Sequence, residues 1–524
     1  MTPRTGTALA RAGQASLHAG CLTASRSWFD AAYQQAAERE DPTVMAVAAL
    51  GFGGVWVHEH RGSADGAAMR ARLQDALSRV DPSSALGLRL RVRLAAESDY
   101  MTGGHAAVLG VLDQVRRRPD AVVHAEALSV THHCLLGPDH AGLRLELAEE
   151  LITQSFRTGR RLDLLMGMVW LTVDLFLAGE PHAQRRLTEL RQVLDVEDHG
   201  AIRYVVSAIE VMLTVRAGRL AEAEALARAC LDQGRSVGDA DALGWYGLQL
   251  AAIRWYQGRV PELLPMLEEL AGSPTLPTVD YSVFAGIAVA AAQAGDRKLA
   301  TGALATLRGR DLGDLPRSSG WLATMHGVAE AAWLLGDAEL AGRVYRLLRP
   351  YRHLLAVASL GVACFGSVQH ALGLAAMTTG DLDRAASHLA AAVDRNLAIG
   401  HWPAAVLSRL RYARALELRG RPGDGAAAQR ERAVAAQESA ALGLDMVDRG
   451  TAASAREPVS CERQGRGWRL VLRGRAVLVP HSVGMLHLAV LLANPGREVP
   501  AAELVSGVDG LNQAASAAVA TDGS

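Results

Sequence analysis

The chain predicts an all-α fold, a right-handed α-solenoid of stacked helical hairpins over residues 1–447, followed by a small α+β module. Three observations carry this. Half of the 524 residues are apolar but only 5% are aromatic, which suits helices packed through alanine and leucine better than sheets. A glycine followed five residues later by a small or apolar residue, with apolar residues four and seven beyond that, recurs at intervals of about forty residues. After Met446 the helical period stops and strand-like alternation begins.

The repeat is clearest in the middle of the chain. Gly218 leads to Ala223, Ala227 and Cys230; Gly258 to Leu263, Leu267 and Leu270; Gly295 to Ala300, Leu304 and Leu307. Gly336 leads to Ala341, Tyr345 and Leu348, and Gly380 to Ala385, Leu389 and Ala392. Gly20 fits with Ser25, Phe29 and Ala32, while Gly62, Gly104, Gly137, Gly179 and Gly420 fall near the expected places with weaker or shifted patterns. The glycine permits the turn after a first helix, and the small residue lets the second helix approach it closely. Charged residues fill the remaining face, as in Ala404–Leu418, where Arg409, Arg411, Arg414 and Glu417 alternate with Val406, Leu410, Ala413 and Leu416. A hairpin cannot bury its stripe alone, so about ten or eleven must stack, with a concave wall suited to binding.

Residues 448–466, rich in Ala, Ser, Arg and Gly, read as a linker. In the module at 467–510, Trp468–Leu472 and Ala476–Val479 flank the turn Arg473-Gly-Arg475 as a β-hairpin. Ser482 caps a helix over Val483–Ala493, and Asn494-Pro-Gly stops it before a further helix start at Arg497. Residues 511–524 read as a flexible tail.

Several classes are excluded by counts. A net charge of −1 argues against a whole-chain polycation. Lys298 is the one lysine, without the glycine frame of a P-loop, so no ATP site is expected in this chain, nor Schiff-base chemistry. Cys21, Cys134, Cys230, Cys364 and Cys461 are far apart, which fits a reducing cytoplasm. Leu17-His-Ala-Gly-Cys21 lacks the apolar run of a lipoprotein signal, and the longest apolar run, Leu164–Ala178, is short for a bilayer and contains Asp174. No membrane segment is expected.

No catalytic or metal constellation emerges. His58 and His60 point to different sides of a helix. His132, His133, Cys134 and His140 form a denser group suited to zinc, but core packing is the leading reading. Gly51-Phe-Gly-Gly54 serves better as a close helix crossing than as a phosphate cradle. Trp245, Tyr246, Trp255 and Tyr256 lie on one predicted helix and, although core packing is their default role, mark where a groove pocket is sought.

Gly380-Asp-Leu-Asp-Arg-Ala385 and Gly218-Arg-Leu-Ala-Glu-Ala223 resemble the turn glycine and packing alanine of the tetratricopeptide repeat family, at a longer period than that family's 34 residues. Ala48–Arg61, His132–Pro138, Val173–Gly179 and Cys364-Phe-Gly-Ser367 resemble the helical-repeat part of large actinobacterial LuxR-type regulators and signal-transduction ATPases. That resemblance implies a regulatory role, with the array as sensor or partner platform. The strand, strand, helix and Pro-Gly turn after residue 467 resemble the opening of a winged-helix DNA-binding domain.

The expectation is a non-catalytic interaction or sensor module without cofactor, binding a protein, peptide or effector in the solenoid groove. The alternative is a DNA-binding transcriptional regulator acting through the C-terminal module, with Arg473, Arg475 and Arg497 as candidate phosphate contacts.

Overall fold

The glycine ladder sets the architecture. In the computed structural model, which describes residues 6–57, 59–60, 63–273, 281–309, 311–444, 460–464, 467–472, 475–493, 501 and 504–505, twenty-two helices pair into eleven hairpins between Gly6 and Leu442. Gly20, Gly179, Gly218, Gly258, Gly295, Gly336, Gly380 and Gly420 all take positive φ between 65° and 85°. This is the left-handed conformation that ends a helix at little cost only for glycine. Two weaker positions differ: the left-handed residue is Gly103 rather than Gly104, and Gly137 has φ −68°. The small residues of the ladder are buried, with Ala223, Ala227, Ala300, Ala341 and Ala385 all fully covered. Gly62 lies outside the described residues.

The chain divides into two compact units, Met1–Asp448 and Arg449–Ser524. Within the first, the array returns upon itself. Arg26 bonds the Gly238 carbonyl, Arg317 pairs with Asp139 at 3.0 Å, and Arg395 donates to the Ala178 carbonyl at 2.8 Å. These partners are 178 to 217 residues apart, about five repeats. Repeats far apart in the chain therefore meet one another.

Two strands, absent from the sequence expectation, fill part of the interior. β1 (Leu355–Ala358) and β2 (Ala363–Ser367) pair antiparallel, and every residue of both is buried. Cys364-Phe-Gly-Ser367, read above as part of a helical repeat, is thus strand. A hairpin buried on both faces carries continuous apolar runs instead of alternation, leaving no period to detect.

A second correction concerns Arg411, expected on an outer face. It is 3% exposed and pairs with the equally buried Glu330 at 3.0 Å. Its helix (Trp402–Arg419) packs on the helices at 382–398 and 424–442 and also approaches the interior, so more than one face is covered.

Gly51-Phe-Gly-Gly54 is a close crossing: a Cβ on Gly51 would lie 2.2 Å from the Phe29 ring. The carbonyls beyond it receive Arg93, at 3.0 Å for Gly54 and 2.6 Å for Trp56.

In the second unit, β3 (Ser460–Gln464), β4 (Gly467–Leu472) and β5 (Arg475–Pro480) form an antiparallel sheet in that order. The helix Val483–Ala493 follows. The strand at 460–464 falls where a linker was expected. It forms because Cys461 packs with Trp468, Met485 and Leu486 while Glu462 and Arg463 stay exposed. Ser482 Oγ accepts from the Met485 amide at 3.3 Å, as a cap should. Among the described residues no helix is long and apolar enough to cross a membrane.

Candidate functional site

The helix Ala242–Gln257 carries two stripes. Trp245, Gln249, Ile253 and Tyr256 are buried in the core, whereas Gly244, Gly247, Leu248, Ala251 and Trp255 face a cavity that Trp245 also reaches. Spacings of three and four residues place each set on one side of a helix. The four sequence candidates are accordingly divided. Trp245, stacked on Tyr204 at 4.8 Å, and Trp255 line the cavity; Tyr246 is partly buried against the core. Tyr256 is fully buried, its hydroxyl 3.3 Å from His401 Nε2.

The cavity holds about 200 Å³, below the roughly 300–1,000 Å³ of pockets that take drug-sized ligands, so it suits a small one. Its walls are the helices Ala242–Gln257, Leu264–Ala271, Ser282–Ala294 and Trp321–Leu335 and the β1–β2 hairpin. Small side chains create the space: a Cβ on Gly244 would meet nothing within 4 Å. Trp255, His326 and Phe365 form a triangle of rings, with centroids 5.4 Å, 5.5 Å and 5.8 Å apart. The turn between β1 and β2 places Ser359 on the wall at φ 55°, an uncommon conformation for a residue with a side chain. The bond from its amide to the Ser319 carbonyl, at 3.1 Å, holds it there.

His326 is the residue that sequence reasoning missed. It is 2% exposed, and neither ring nitrogen has a hydrogen-bond partner among the described residues. Burial pushes its pKa down to about 4, so at neutral pH the ring offers one N–H donor and one nitrogen acceptor. The signal was present in Trp321-Leu-Ala-Thr-Met-His-Gly-Val-Ala-Glu330, a histidine and a glutamate one turn apart in a helix whose other residues, Thr324 apart, are apolar or glycine. Glu330 is neutralised by Arg411; His326 has only its ring contacts, including a stack on His370 at 5.7 Å. Buried polar groups are ordinarily paired, which makes His326, in the cavity lining, the candidate partner for a polar group of a ligand.

A second cavity of about 120 Å³ is lined by Arg89, Arg93, Glu126, Arg160 and Asp163, the last 3.5 Å from Arg160. These charges are spent on protein: Glu126 receives Arg89 and Arg160 at 2.5 Å and 2.8 Å, and Arg93 pairs with Glu97 at 2.8 Å.

The histidine group weighed for zinc is dispersed among separate partners. His132 Nε2 is 2.7 Å from Asp174, and His133 Nδ1 accepts from the Val57 amide at 3.1 Å. The Cys134 thiol reaches the Ala96 carbonyl, and His140 packs on His105. His60 Nε2 lies 2.9 Å from the Phe52 carbonyl; His58 lies outside the described residues. Among those residues, no three His, Cys, Asp or Glu groups are placed to hold a metal. Arg475 begins β5 and pairs with Leu472 in the ladder, while Arg473, Arg497 and residues 511–524 lie outside the described residues.

No family model matches the chain, and no curated protein does. A solved structure described as a circular tandem repeat protein with novel repeat topology and enhanced subunit contact surfaces is 13% identical. That comparison covers 84% of this chain and 96% of that one, at a TM-score of 0.14.

Proposed function

We propose that the chain is a non-catalytic sensor module of a regulatory protein, in which a right-handed helical-repeat array binds an effector in its interior and the second unit passes the bound state onward. The observation that carries the ligand-binding part is the cavity at Trp255 with the unpartnered His326 in its wall. The regulatory part rests on the resemblance of the repeat segments to LuxR-type regulators. The return of the array upon itself favours an effector enclosed by the repeats over a peptide laid along an open groove.

The test is thermal unfolding of the full chain with fractions of a small-molecule extract from its producing cells. A ligand that binds only the folded state raises the midpoint. One fraction is expected to stabilise the native chain by several degrees and to leave Ala251→Phe, whose ring occupies the cavity, unchanged. No active fraction, or equal shifts in both proteins, contradicts the reading. DNA binding through the second unit is the other reading, favoured by the exposed Arg463 and Arg469 on its sheet. Salt-sensitive retardation of duplex DNA that requires residues 449–524 would move the conclusion there.

A further inference from the structure

The cavity sorts ligands by charge. Its described lining contains no arginine or lysine, and Asp241 is its one carboxylate. An anion entering would give up hydration without a cationic partner and would face Asp241 as well. Phosphorylated and carboxylate ligands are therefore disfavoured. Most of the remaining wall is aliphatic or aromatic, including leucines of the helix Leu264–Ala271 and the rings of Trp255 and Phe365, with five serines among them. Flat rings gain from offset or edge-on contact with such side chains. Against this largely apolar wall, His326 is a buried donor and acceptor whose ring nitrogens have no hydrogen-bond partner among the described residues.

Building on the reading of the cavity as a binding site, we infer that its ligand is a neutral, ring-bearing, largely apolar molecule with one ketone, hydroxyl or amide group. That group pairs with His326, and the ring lies against Trp255 and Phe365. Charge selects against anions, the ring triangle selects for flatness, and the histidine fixes orientation.

The test uses two naphthalene dyes on the full chain, one neutral and one anionic. Prodan is a neutral ketone; anilinonaphthalene sulfonate is an anion. Prodan is expected to bind saturably, with blue-shifted emission and energy transfer from tryptophan, at least about tenfold more tightly than the sulfonate. His326→Leu is expected to weaken Prodan about tenfold, the equivalent of one hydrogen bond. His326→Gln, which can still donate, is expected to recover most of that loss. Ala251→Phe is expected to abolish binding, with circular dichroism checking that each variant keeps its helices.

Sulfonate binding as tight as Prodan, or Prodan affinity indifferent to His326→Leu, with Ala251→Phe still blocking, overturns the inferred ligand class and leaves the cavity reading intact. Prodan binding that survives Ala251→Phe overturns the cavity reading itself. No saturable Prodan binding, with sulfonate bound and blocked by Ala251→Phe, again overturns the ligand class; no binding of either dye overturns both.

Discussion

Replacing Asp174 by alanine is expected to lower the stability of the repeat unit by about 3–5 kcal/mol, because it strands two buried groups at once. Asp174 is 2% exposed and accepts from Arg144 Nε at 2.6 Å, with His132 Nε2 at 2.7 Å. Arg144 is 3% exposed and His132 is fully buried. Without the carboxylate, the guanidinium keeps only its bonds to the Leu135 and Gly137 carbonyls, at 2.9 Å and 2.6 Å. The His132 ring, whose Nδ1 has no hydrogen-bond partner among the described residues, loses the bond from Nε2. The cost is chiefly that of the orphaned charge, so removing both ions should be milder. The combination Arg144→Met with Asp174→Leu is expected to be more stable than Asp174→Ala alone. Urea unfolding followed by circular dichroism measures both; a double variant as unstable as the single one would contradict this account.

The second large effect is acid sensitivity. Burial lowers the pKa of His199 and His326 to about 4, of His401 to about 3, and of His370 well below the ordinary value of 6.5. The folded form therefore keeps these rings neutral where the unfolded chain would protonate them. Between the folded and unfolded values the unfolded state binds more protons, so stability is intact above about pH 6.5 and is lost as the pH falls towards 4. Each ring contributes a slope approaching about 1.4 kcal/mol per pH unit, so the four together remove on the order of 5 kcal/mol between about pH 6 and about pH 5. Urea midpoints across that range are expected to fall steeply, and His326→Leu to reduce the slope by about one proton. A flat profile would mean that these rings are solvated in the folded state.

What the sequence disclosed and what it concealed have physical reasons. Gly218, Gly258, Gly295, Gly336 and Gly380 were legible because a left-handed helix end demands glycine and a close helix crossing demands alanine, both local requirements written at fixed spacing. The hairpin at 355–367 was hidden because burial on both faces erases the alternation that reveals a strand. Arg411 was misplaced because helical periodicity reports one buried face, and its helix has more than one. The candidate site was half legible. Trp245 and Trp255 marked the correct helix, but which of its stripes faced the cavity depended on packing across distant repeats. His326 acquires its meaning only where the array folds back and encloses it.

Binding of a ligand in the cavity of the repeat array is tested most directly by amide hydrogen exchange of the full chain, with and without a saturating ligand. The expected result is added protection concentrated in Ala242–Gln257, Ser282–Ala294 and Trp321–Leu335, the helices that wall the cavity. Protection confined to residues 460–493, with those three helices unchanged, would contradict it.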